Sequence, residues 1–126
     1  MNTMKVSKRE IIEKIVEVYS DDKNRSVYKQ CREGTCQYRS DDGKVCAVGL
    51  FMKPEALDQH GSSTKKIAVL SMRHGLDNLI KEEYQGYNVS FWTKVQSLHD
   101  KEEYWSDCGI TQEGMNYIKR EIGVNL

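Results

Sequence analysis

Apolar side chains at Ile11, Ile12, Ile15, Val18 and Tyr19 recur at spacings of three, four and seven, while Glu10, Glu13, Lys14 and Glu17 fall between them. That period belongs to an amphipathic helix and predicts one from about Lys8 to Ser20. Ser7 and Glu10 stand at capping-box spacing, and Val6 is placed to staple against Ile11. The polar run Ser20-Asp21-Asp22-Lys23-Asn24 ends the element.

The pattern then shortens. Ser26 to Gln30 and Cys36 to Arg39 read as extended pieces with a turn at Glu33-Gly34. Asp42-Gly43 between half-apolar runs is a hairpin signal, because the turn needs positive φ and Gly supplies it without steric cost. That hairpin brings Cys36 towards Cys46. Val45 to Met52 is nearly continuously apolar and reads as a strand passing into a short helix, closed by Pro54, which disfavours an α conformation at Lys53. Asp58 to Thr64 reads as a loop.

Helical spacing returns over Lys66 to Glu83, with Ile67, Leu70, Leu76, Leu79 and Ile80 inward and Gly75 as an interruption. After a loop over Tyr84 to Tyr87, Asn88 or Ser90 caps a helix whose stripe is Phe91, Trp92, Val95 and Leu98, running to His99. Cys108-Gly109 marks another turn. Thr111 then caps a last helix with Met115, Ile118 and Ile122 inward, and Gly123 stands where a left-handed residue is wanted. The expected fold is a single α+β domain over residues 1–126, mostly α, with about four main helices packed around a small β-hairpin.

Charge removes some classes of function. The 19 basic and 19 acidic residues cancel, which argues against the global positive field of non-specific nucleic-acid binding. No run of about 18 apolar residues and no signal-peptide pattern is present, so the reading is a cytoplasmic protein with no membrane association. In that compartment the four cysteines are expected to stay reduced, as packed thiols, metal ligands or reactive groups.

Three constellations carry possible chemistry. Cys46 ahead of a helix start, with His99 as base and Asp100 or Asp107 to orient it, has the residue types of a thiol nucleophile, which needs a lowered thiol pKa. Cys36, Cys46 and His99 with Cys31 or Cys108 offer a ligand set for zinc, although only Cys31-x4-Cys36 approaches a ligand knuckle; His60 and His74 are alternates. His99-Asp100 with Gln96 and Trp105 forms the third, and its plainer reading is a helix capped or buttressed by His99 while Trp105 covers the core. Packing is the plainer reading of the thiols too, since free Cys is so often buried. No catalytic residue, metal ligand or cofactor follows from these patterns.

The residues Cys36-x-Tyr38-Arg39, Gly43-x-x-Cys46-Ala47-Val48-Gly49 and Gln96-x-x-His99-Asp100, with Trp105 downstream, resemble a functionally uncharacterised family of small bacterial and phage proteins. The resemblance implies a role at the host interface, such as inhibition of a defence system, and the host cytoplasm as its place. An aromatic-rich segment fits such a role, because Tyr and Trp bury large area at low entropy cost at interfaces. The expected partner-binding set is Tyr87, Phe91 and Trp92 with Asp42 and Lys44 at the hairpin tip, acting on a protein partner by occlusion or serving self-association. The alternative is a zinc-binding module or thiol-dependent enzyme built on Cys46 and His99.

Overall fold

The capping box at the first helix is formed. In the computed structural model, which describes residues 6–20, 38–39, 46–61, 66–106 and 109–126 but not the side chains of Asp100 and Glu102, α1 spans Lys8–Tyr19. The Ser7 hydroxyl accepts from the Glu10 N–H at 3.2 Å, and the Glu10 carboxylate accepts from the Ser7 N–H at 3.4 Å. Ile11, Ile12, Ile15 and Tyr19 are fully buried.

Between Cys46 and Met52 the structure departs from the expected strand. Cys46–Val48 forms a turn that leads into a 3-10 turn, Gly49–Phe51. Extended pairing is confined to Met52, which bridges Ile80. The predicted hairpin is described at its base alone, where the Cys46 N–H donates to the Tyr38 carbonyl at 2.9 Å. Its tip, with Asp42 and Lys44, lies outside the described residues, as do the predicted piece Ser26 to Gln30 and Cys31, Cys36, Asp107 and Cys108.

Pro54 begins a helix as well as closing an element. Helix α2 spans Pro54–His60 with Lys53 as an extended N-cap residue, so the predicted loop from Asp58 is helical through His60. Pro suits the first helical position because its missing N–H has no partner there and its φ is already helical. Helix α3, Ile67–His74, ends at Gly75, whose φ of 84° breaks the run before α4, Leu76–Leu79.

Helix α5, Val89–Asp100, is capped by the Asn88 side chain, which accepts from the Phe91 N–H. It packs against α3, and Phe91, Trp92, Val95 and Leu98 are all buried. Strands β1, Trp105–Ser106, and β2, Gly109–Ile110, pair antiparallel with Trp105 opposite Ile110. Helix α6, Gln112–Tyr117, starts on the predicted Thr111 cap and continues as a π-helical turn, Ile118–Ile122, ended by left-handed Gly123. The fold is therefore mostly helical α+β, and β1–β2 is the strand pair among the described residues. Among those residues no helix is long and apolar enough to cross a membrane.

Candidate functional site

Cys46, His99 and Tyr19 come from three separate parts of the chain and meet in the core. The Cys46 thiol accepts the Gly49 N–H at 3.3 Å, capping the 3-10 turn from its start, so the sequence-based placement of Cys46 ahead of a helical element holds. An N-terminal helical N–H favours thiolate character. Burial opposes it, and Cys46 is only 2% exposed.

Helix α5 carries His99, which is 1% exposed, and Tyr19 lies edge-on to it at 5.0 Å between ring centroids. The same phenol ring lies edge-on to Trp105 at 6.2 Å. Burial first, and the neighbouring Cys46 second, hold the Tyr19 phenol well above its ordinary titration range. The Trp105 indole N–H donates to the Leu98 carbonyl at 2.8 Å, closing one of the carbonyls left open at the end of α5. Trp105 is buried and also closes the helix end, a contact the plainer reading of that constellation does not include. The Gln96 side-chain carbonyl accepts from the Ile67 N–H at 3.2 Å and caps the start of α3.

This cluster has the residue types of a thiol site and the surroundings of a core. Tyr19 and Tyr38 are fully buried beside it, and Cys46 and His99 are themselves buried. Asp100 is the last residue of α5, with its side chain outside the described set. Among the described residues no group of three or more His, Cys, Asp or Glu side chains is arranged to hold a metal ion.

The expected aromatic surface is corrected more sharply. Trp92 is 0% and Phe91 4% exposed, because the α5 stripe that carries them is the face packed into the core. Trp92 and Phe51 are in ring contact at 5.6 Å. Half-buried Tyr87 donates from its hydroxyl to the Val6 carbonyl, and Lys8 lies over its ring at 5.9 Å. Burial and then the Glu10 charge push the Tyr87 phenol up. Tyr87 is a tether for the start of α1, a long-range role that local spacing cannot reveal.

Two features escaped the sequence reading. Val69 and Met72, the latter 85% exposed, stand one turn apart on the outer face of α3. His60 and His74, at the ends of α2 and α3, bring their rings to 4.4 Å. Burial and the adjacent His74 hold His60 below its ordinary pKa. The sequence places His60 in a loop and His74 within a helix, and their juxtaposition depends on how the two helices pack. The chain matches no protein-family model, no curated protein and no solved structure in the comparisons made with each.

Proposed function

We propose that the protein is a binding module for a protein partner, engaged through the outer face of α3 in place of the buried Phe91–Trp92 segment. The observation that carries this reading is the exposure of Met72, at 85%, beside Val69 on one helical face. Residues three and four apart on a helix are neighbours, so the two side chains with Ala68 make one apolar strip. Methionine suits such a surface because its unbranched, polarisable side chain adapts to a partner's shape. On the resemblance to small bacterial and phage proteins, the partner is a host factor and the action is occlusion.

Support also comes from the state of the reactive groups. A thiol-dependent enzyme on Cys46 and His99 needs both side chains to open on a cleft, and both are buried. The test is co-purification from the natural host, followed by cross-linking to locate the contact. A partner that cross-links to α3 and is lost with Met72→Glu supports the reading. Equal recovery of every co-purifying protein with Met72→Glu and with Val69→Lys overturns it.

A further inference from the structure

His60 closes α2 and His74 closes α3, so two imidazoles stand where two helix C-termini converge. Their ring centroids are 4.4 Å apart with planes tilted by 41°. Tilted ring contacts of similar spacing occur elsewhere in the chain, as between Tyr104 and Tyr117 at 4.8 Å and 32°, so ring packing is one account of the approach. A shared metal is a second account of the same spacing. Metal–nitrogen bonds of about 2.0–2.1 Å put a metal about 3.2 Å from each ring centre, so rings in cis positions at about 90° stand about 4.5 Å apart, and rings at a tetrahedral angle about 5.2 Å. The observed separation fits the cis arrangement.

We propose that His60 and His74 form a two-imidazole site for a divalent transition metal of tetragonal or octahedral preference, nickel(II) or copper(II) in chemistry, with water completing the coordination. Imidazole is a ligand these metals share with zinc, and geometry separates them. The surroundings accept a cation: the carbonyl ends of both helices carry partial negative charge. His74 is exposed and His60 only partly buried, which leaves room for water ligands. One feature opposes binding, since Arg39 lies against Gly61 next to His60 and its N–H donates to the Gly61 carbonyl at 2.8 Å. Its guanidinium charge is offset by Asp58 at 3.3 Å. A bound metal joins the end of α2 to the end of α3, and the site is independent of the partner face on Val69 and Met72.

Calorimetric titration of the full reduced chain with nickel(II) chloride at pH 7.5, and separately with zinc chloride, tests the site. The expected result is one equivalent of nickel bound at least as tightly as zinc, with affinity falling tenfold or more in both His60→Ala and His74→Ala. Should either alanine variant fail to fold by circular dichroism, the matching Gln variant takes its place. Absence of nickel binding at millimolar concentration, tighter binding of zinc than nickel, or a loss below tenfold in either variant overturns the proposal.

Discussion

Tyr19 shows how much one buried side chain organises. Its ring joins α1 to His99 of α5 and to Trp105 of β1, and burial followed by Cys46 raises its pKa. The sign of the resulting pH dependence follows from linkage. As pH rises past the ordinary phenol value near 10, the unfolded chain releases this proton while the folded one retains it. The stability contributed is complete below about pH 10 and is lost above it. Denaturant titrations from pH 8 to 11.5 should therefore show an alkaline decline that is shallower in Tyr19→Phe, with Tyr87, raised in the same direction, contributing to what remains. An unchanged slope would show that the phenol does not carry it. Cys46 gives a second expectation at this scale: a thiol 2% exposed should resist an aromatic disulfide reagent in native buffer and react in denaturant, as peptide mapping by mass spectrometry will report. Labelling of Cys46 in native buffer would reopen its reading as a reactive group.

At the scale of elements, caps were legible and turns between unlike elements were not. Ser7, Asn88 and Thr111 each cap the helix that their local sequence announces, because a cap needs only its own following turn. Pro54 reads as a stop and is also a start, since its ring bars an α conformation at Lys53 while its own fixed φ suits the first helical position. The β1–β2 pair was read as a turn alone, for two residues per strand carry no periodicity. The cluster of Cys46, Tyr19 and His99 was legible in two of its members, but the ring that joins them lies on a different helix. Gly114 tests how tightly such elements fit. A Cβ there would stand 2.6 Å from Cγ1 of Ile110 and 2.7 Å from the Tyr104 carbonyl oxygen. Alanine gains about 1 kcal/mol of helix propensity, whereas overpacking a fixed backbone costs about 1–3 kcal/mol. Clash should win, and Gly114→Ala should lower the urea midpoint; a raised midpoint would show that β2 can shift to admit a methyl group.

For the whole molecule, the decisive contacts are those that hold α1 at both ends. At its start the Val6 N–H donates to the Glu83 carbonyl at 3.1 Å, and Val6 accepts from Tyr87, 81 positions away in the chain. At its other end Tyr19 lies against His99 and Trp105, while β2 approaches so closely that a Cβ on Gly109 would stand 3.3 Å from the Ser20 hydroxyl. A helix of 12 residues is marginal alone in water, so α1 depends on these contacts for its existence. They in turn lose their packing partner if α1 leaves. Mutual dependence of this kind predicts a single cooperative transition. Urea unfolding followed by helical circular dichroism and by the fluorescence of Trp92 and Trp105 should give coincident midpoints. Tyr87→Ala, which removes the tether to Val6 and the ring beneath Lys8, should move both midpoints down together by the same amount. If the circular dichroism midpoint falls while the fluorescence midpoint stays, α1 melts on its own, and the unit that folds is the α3–α5–α6 assembly without it.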